Sequence, residues 1–162
     1  MPTMRIRPAI LALTLVVLTP SAALADATVF IGRNSGGDDR AVVRGFAVGV
    51  SLLVVGFEFE YGNTSENTTE LEPSLRTTSG NAFLQTFGLP GFQLYLTTGA
   101  GVYRERLGND QETAFLLNNG GGAKINLAGP LRARVDYRIF NLKGNPRHST
   151  VQRLYAGLNL AF

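Results

Sequence analysis

Charged side chains recur at every second position of one short segment, where they could form a network of ion pairs. The segment "LRARVDYRIF", residues 131–140, places Arg134, Asp136 and Arg138 between aliphatic and aromatic residues. This alternation is typical of a β-strand with two chemically opposite faces. Unpaired charges in a poorly hydrated interior cost several kcal/mol each, so we expect them to pair if they face inward. The alternation alone does not say which face lies inside.

A second candidate for chemistry is His148, the only histidine of the chain, in the segment "PRHST". A hydrolase triad needs a histidine held between a nucleophile and a carboxylate. Ser149 is adjacent to His148, but no carboxylate lies nearby in the sequence. We therefore predict a solvated loop histidine, no catalytic residues and no enzymatic activity.

Metal and cofactor sites have no support in the sequence. The chain has no cysteine, which excludes thiolate ligands and disulfides. The acidic residues Asp38, Asp39, Glu66, Glu70 and Glu72 lack the spacing of a calcium-binding loop. We predict solvated loops there, with no metal and no cofactor.

The amino-terminal segment predicts export. Arg5 and Arg7 precede an apolar run from Ala9 to Leu18, and small residues end at Ala25. These are the marks of a secretory signal peptide over residues 1–25, with the remaining domain over 26–162. Cleavage of this signal peptide would also remove Arg5 and Arg7. The positive charge that remains on the domain is too small to predict nucleic-acid binding.

The rest of the chain predicts strands separated by turn residues, with no amphipathic helix. The eight predicted strands cover roughly residues 27–33, 41–50, 53–62, 75–88, 92–104, 114–127, 131–142 and 151–162. The first, third, fifth and seventh connections are long and polar, about 7–12 residues, and the other three are short. Alternating long loops and short turns are typical of an outer-membrane barrel.

The two faces of the predicted strands favour lipid outside. Phe57 and Phe59 share one face of the third strand, while Gly56, Glu58 and Glu60 share the other. Glycine weakens a strand that faces solvent, whereas a crowded eight-stranded interior needs small residues beside large ones. The predicted fold is therefore an all-β, eight-stranded, antiparallel up-and-down transmembrane β-barrel.

The second half of the chain resembles a known family. "GGGAKINLAGPLRARVDYRIF" and the closing "RLYAGLNLAF" are similar to the last hairpins of the small OmpA-like outer-membrane β-barrel proteins that lack a peptidoglycan-binding domain. The alternating Leu158, Leu160 and Phe162 resemble the carboxy-terminal signal that the barrel-assembly machinery reads in that family. The resemblance implies a role in envelope integrity, adhesion or minor permeability.

With the apolar faces outward, eight charged residues are predicted to form a network in the lumen: Glu58, Glu60, Glu105, Lys124, Arg134, Asp136, Arg138 and Arg153. A minimal hairpin centred on Gly129 would place Lys124 opposite Arg134, a like-charge contact that requires a nearby carboxylate. Glu58 or Asp136 would supply it. Such a network either closes the barrel or, if its pairs rearrange, gates a narrow pore.

The sequence thus predicts a monomeric outer-membrane scaffold with four extracellular loops. The expected partners are outer-membrane lipid, lipopolysaccharide and, during insertion, the barrel-assembly machinery. The alternative is an exported, soluble, lipocalin-like barrel that binds a small apolar ligand. That alternative would place Leu131, Val135 and Ile139 inside.

Overall fold

Eight antiparallel strands make up the described part of the chain. The computed structural model describes residues 23–37, 39–66, 72–87 and 89–162. The strands are β1 (Ala23–Gly36), β2 (Asp39–Leu52), β3 (Val55–Thr64), β4 (Ser74–Gln85), β5 (Phe92–Leu107), β6 (Asp110–Ala128), β7 (Leu131–Leu142) and β8 (Thr150–Ala161). Within these ranges, no helix has the length and apolar character needed to cross a bilayer.

The strands close into one up-and-down barrel. Each strand pairs with its neighbours in sequence, and β8 pairs with β1 to complete the ring. The predicted fold class and the number of strands are confirmed. The connections β1–β2, β3–β4, β5–β6 and β7–β8 therefore lie at one end, which we name the loop end. The other three lie at the turn end.

The lengths of the connections differ from the prediction. Strands β5 and β6 are joined by Gly108 and Asn109 alone, and β1 and β2 by residues 37–38. The polar residues expected in these two loops instead pair as strand ends, as in Asn34 with Ala41 and Arg106 with Gln111. Conversely, the β4–β5 connection is longer than the predicted turn and spans residues 86–91. Backbone pairing does not depend on side-chain polarity, so polar residues can extend a hairpin beyond its apolar part.

The barrel is apolar outside and polar inside. On the outer surface, Leu96 is 71% exposed and Phe57 63% exposed. Inside, Arg134, Arg138 and Arg153 are at most 1% exposed. Val135 and Ile139 lie on the outer face, so the lipocalin-like arrangement with these side chains inside is wrong.

The predicted signal peptide, residues 1–25, lies outside the described residues except for its last three. Ala23, Leu24 and Ala25 form the start of β1 and pair with Leu52, Ser51 and Val50. The predicted cleavage after Ala25 would remove this first part of the strand.

An apolar layer fills the interior near the loop end. Its buried members are Leu75, Tyr103, Leu116, Phe140, Leu142 and Val151. A second, smaller apolar group contains Phe30, Val43 and Tyr155, with the rings of Phe30 and Tyr155 stacked at 4.1 Å. The sequence predicts glycine, charge, amide and tyrosine on the inner faces, and it does not predict this apolar layer.

Candidate functional site

The candidate site is the set of charged side chains inside the barrel, and β7 supplies its centre. Arg134, Asp136 and Arg138 point inward from alternate positions of β7. The β6–β7 register places Asp136 opposite Gly122 and Arg138 opposite Gly120, as the hairpin at Gly129 predicts. The glycines leave space on β6 for the long side chains of β7.

The central group joins β7 to β3 on the opposite side of the ring. Both carboxylate oxygens of Glu58 accept hydrogen bonds from the guanidinium of Arg134. The hydrogen bond from Nη2 to Oε1 is 3.1 Å long. Glu58 also accepts a 2.8 Å hydrogen bond from Nη2 of Arg138. Asp136 lies between the same two arginines, 3.0 Å from Nη2 of Arg134 and 2.9 Å from Nε of Arg138. Two carboxylates and two guanidinium groups thus neutralise one another without access to water.

Tyr95 completes the central group from β5. Its hydroxyl donates a short hydrogen bond to Asp136 Oδ2 and accepts one from Nε of Arg134 at 2.8 Å. The guanidinium of Arg134 also lies 4.9 Å from the centre of the Tyr95 ring. An added Cβ at Gly122 would lie 2.6 Å from the Tyr95 hydroxyl, so glycine is needed there for this close approach.

A second group is centred on Glu60, nearer the loop end. Arg153 Nη1 donates to Glu60 Oε1 at 3.0 Å, and the Tyr155 hydroxyl donates to Oε2 at 3.1 Å. Arg138 Nη1 lies 3.0 Å from Oε2, within ion-pairing distance but without hydrogen-bonding geometry. Glu60 therefore connects Arg153 to the central group.

Polar and aromatic neighbours hold Arg153 in place. Its Nε donates to Asn34 Oδ1 and its Nη2 to Thr77 Oγ1, both at 2.9 Å. The guanidinium also lies 4.3 Å from the centre of the Phe140 ring, which belongs to the apolar layer. The network and the apolar layer are therefore in direct contact.

A third group lies toward the turn end, where Lys124 forms a short ion pair with Asp26. Lys124 also lies 5.3 Å from the centre of the Phe83 ring and 5.8 Å from that of Tyr95. The predicted opposition of Lys124 and Arg134 is present in the register. The carboxylate that pairs with the lysine, however, is Asp26, and neither Glu58 nor Asp136 forms an ion pair with it.

Glu105 is buried but does not join these groups, contrary to the prediction. Its Oε2 accepts a 3.0 Å hydrogen bond from the backbone N–H of Arg147. Glu112 accepts from the N–H of Asn145 in the same way, also at 3.0 Å. These two carboxylates instead hold the β7–β8 connection against the loop end.

Several residues of the site were missed by sequence analysis. Asp26 was excluded because the first strand was predicted to begin at residue 27. Its alternation with Thr28 and Phe30, both buried, is the signal that could have placed it inside. Tyr95 and Tyr155 were assigned to the inner faces, but their hydrogen bonds to Asp136 and Glu60 join strands that are distant in sequence.

The assembled site is balanced in charge and closed by its own contacts. Four cations meet four carboxylates: Lys124, Arg134, Arg138 and Arg153 with Asp26, Glu58, Glu60 and Asp136. Buried ion pairs of this kind keep their partners fixed, because separating one pair leaves an uncompensated charge. The arrangement can therefore brace the barrel walls and obstruct its interior.

The remaining candidates lie at the loop end. His148 is half-buried rather than solvated, and its ring lies against Gly36 and Gly37 of the β1–β2 hairpin. Glu66 pairs with Arg106 at 3.5 Å, while Asp38 and Glu70 lie outside the described residues. In the described part of the chain, no group of three or more histidine and acidic side chains could hold a metal.

No protein-family model matches the sequence, and no curated protein matches it. Solved structures do match. Neisserial surface protein A has 14% identity and a TM-score of 0.69, covering 88% of this chain and 98% of its own. Ail, the attachment invasion locus protein of Yersinia pestis, has 14% identity and a TM-score of 0.56, covering 87% and 99%. The outer-membrane enzyme PagL has 12% identity and a TM-score of 0.52, covering 83% and 98%.

These identities are low, so the likeness concerns the fold. The chain has the fold of the small eight-stranded outer-membrane barrels, which supports the OmpA-like architecture expected from the sequence. That fold is shared by proteins with different activities, including an enzyme. The function must therefore be argued from the side chains of this chain.

Proposed function

We propose that the protein is a monomeric outer-membrane scaffold whose interior is closed by buried ion pairs and whose loop end faces the cell exterior. The observation that carries the proposal is the distribution of apolar and charged side chains, which is the reverse of that in soluble proteins. Large apolar side chains cover much of the outer surface, while eight charged side chains are buried and paired inside. An outer surface of this kind is unfavourable in water and favourable in lipid, where a closed barrel also satisfies its backbone polar groups.

The scaffold displays its four loop-end connections outside, in a role in envelope integrity or adhesion. Two of these are tight hairpins, and the longer two span residues 65–73 and 143–149. Hydrogen bonds from Tyr103 to Lys143 O at 2.6 Å and from Asn145 N to Glu112 at 3.0 Å fix the latter against the rim. Polar connections carried by a rigid barrel can present a binding surface, and we propose a non-enzymatic role for the protein.

Fractionation of cells tests the location. We expect the protein in the detergent-insoluble outer-membrane fraction, with slower migration after boiling because the folded barrel resists unheated detergent. Recovery as a soluble periplasmic protein would contradict the proposal.

Minor permeability is the second candidate, and planar-bilayer recording separates it from the closed scaffold. An eight-stranded interior is just wide enough for side chains to fill it. The arginine side chains and the apolar layer beneath the loop end support a closed state. We expect no steady conductance from the wild-type chain, and well-resolved openings would contradict a closed interior.

Assembly is proposed to depend on the outward side chains of β8. Leu158, Leu160 and Phe162 lie on the outer face, with Phe162 70% exposed. We propose that the barrel-assembly machinery binds this row. Phe162→Ala should lower the amount of heat-modifiable protein in cells but leave the stability of barrel refolded in detergent nearly unchanged. Equal loss in both settings would contradict a role in recognition.

A further inference from the structure

We propose that outward-facing arginines at the loop end of β2, β4 and β5 bind the phosphate groups of lipopolysaccharide. The site consists of Arg44, Arg76 and Arg104 with Asn63, which we name the arginine row. Cross-strand pairing places Arg44 opposite Asn63, Asn63 opposite Arg76, and Arg76 opposite Arg104. All four side chains point outward, and the row crosses four adjacent strands.

On its turn-end side, the arginine row borders the apolar outer surface of the barrel. The next outward row toward the turn end contains Phe46, Tyr61, Thr78 and Val102, again paired strand to strand. The rings of Phe46 and Tyr61 are stacked at 5.6 Å on this surface. The arginine row thus follows an outward row that contains two aromatic rings, although Val42 lies beyond Arg44 on β2. In a barrel that spans a bilayer, aromatic residues of this kind lie near the lipid headgroups.

In the described part of the chain, no carboxylate forms an ion pair with the arginines of the row. Like charges placed directly opposite each other on neighbouring strands are destabilising, and Arg76 and Arg104 are such a pair. Among the described residues, none of the three arginines of the row forms an ion pair, whereas the nearby Arg106 pairs with Glu66 at 3.5 Å. An anion bound between Arg76 and Arg104 would remove this repulsion.

Two clefts lie on either side of Asn63 and are large enough for phosphate groups. One has a volume of about 450 Å³ and is lined by Arg76, Arg104 and Arg106 and by one carboxylate, Glu66, which pairs with Arg106. The second, about 370 Å³, is lined by Arg40 and Arg44 and by the carboxylate of Glu72. Guanidinium groups bind phosphate oxygens through two parallel hydrogen bonds, which gives both geometry and affinity.

Outward charge on the strands is unevenly distributed at the loop end. The outward positions of β6, β7 and β8 carry Thr113, Asn141 and Gln152 there, which are uncharged. The outward arginines lie on β1, β2, β4 and β5, with Arg33 of β1 outside the row. Guanidinium groups that are close together on neighbouring strands can bind one phosphorylated lipid.

The inference rests on the proposed function, because the loop end faces lipopolysaccharide only if it is the extracellular end. Binding itself is measured on the folded full-length barrel in neutral detergent. The probes are labelled lipopolysaccharide, the same lipid with its phosphates removed, phosphatidylglycerol and inorganic phosphate. The test variant is the double substitution R76Q/R104Q, and the matched control is R33Q, an exposed arginine on β1 outside the row.

We expect R76Q/R104Q to bind lipopolysaccharide about tenfold more weakly than wild type, because two charge-assisted contacts are lost. The affinity of R33Q for lipopolysaccharide should remain within about twofold of the wild-type affinity. The wild-type protein should bind dephosphorylated lipid as weakly as the double variant binds intact lipid. Heat-modifiable migration verifies that every variant is folded. Equal binding by the double variant would overturn the site, and tighter binding of phosphatidylglycerol or free phosphate would overturn lipopolysaccharide as its ligand. Absence of the wild-type protein from the outer membrane would instead overturn the proposed function.

Discussion

Arg134 on β7 and Glu58 on β3 meet from opposite walls of the barrel, joined by two hydrogen bonds between one guanidinium and one carboxylate. Three strands separate β3 from β7 in either direction around the ring. The pair therefore spans the interior rather than linking neighbouring strands. A contact of this kind resists both separation of the walls and the passage of solutes, and it explains why the centre of this barrel is stable while charged.

Loss of Asp136 should destabilise the barrel strongly. Asp136→Ala leaves Arg134 and Arg138 short of a carboxylate in a site without water, and breaking a buried ion pair costs about 3–5 kcal/mol. Asp110→Ala, at an exposed hairpin end, should change the free energy of unfolding by less than about 0.5 kcal/mol. Urea unfolding of barrels refolded in lipid vesicles measures both values. Similar losses in the two variants would contradict the network.

The Lys124–Asp26 pair should show strong coupling in a double-mutant cycle. Asp26→Asn and Lys124→Met each leave one buried charge without its partner, at a cost of about 3 kcal/mol or more. The double variant removes both charges, so its loss of unfolding free energy should be smaller than the sum of the single losses. Additive losses would indicate that the two residues act independently.

Replacement of glycine by alanine should be tolerated on the outer surface of the barrel and should destabilise the barrel beside Tyr95. A Cβ at position 122 would lie 2.2 Å from the carbonyl oxygen of Val135 and 2.6 Å from the Tyr95 hydroxyl. Gly122→Ala should therefore cost about 1–3 kcal/mol, the usual range for overpacking. Gly80 is also in a strand, but an added Cβ there meets nothing within 4 Å. Gly80→Ala should leave the midpoint of thermal or urea unfolding unchanged or slightly raised.

Membrane insertion should be sensitive to polar substitutions of the outward apolar side chains. A barrel whose outer surface faced water would tolerate the same substitutions. Leu96→Arg places a charge within the outward apolar run of β5, at a residue that is 71% exposed. In lipid this costs about 2–4 kcal/mol near the bilayer midplane, whereas an exposed site in water would accept arginine readily. Thr150→Arg, at an exposed position at the loop end of β8 opposite Asn141, is the matched control. We expect vesicle insertion to fall for Leu96→Arg alone; unchanged insertion of both variants would contradict a lipid-facing surface.

The sequence determined the strands, their faces and one register. Alternation with a period of two places Arg134, Asp136 and Arg138 on one face of β7 whatever surrounds it. A hairpin centred on Gly129 predicts the β6–β7 pairing from Asn126 with Arg132 onward, and a register shift between Asn126 and Ala128 connects this pairing to the Ala128–Leu131 pair beside the turn. These are local properties, and residues within a few positions of one another decide them.

The tertiary structure decided which charges meet. Asp26 reaches Lys124 and Glu60 reaches Arg153 only because the ring closes between β8 and β1, and closure sets the relative heights of strands that share no hairpin. The same geometry leaves Glu105 at the rim, bound to the N–H of Arg147 instead of to the network. The lengths of the hairpins at the loop end also could not be predicted from the sequence, because backbone pairing continues through polar residues that composition assigns to loops. Alternation fixes the face on which a side chain lies, but its ion-pairing partner depends on the closure and stagger of the whole barrel.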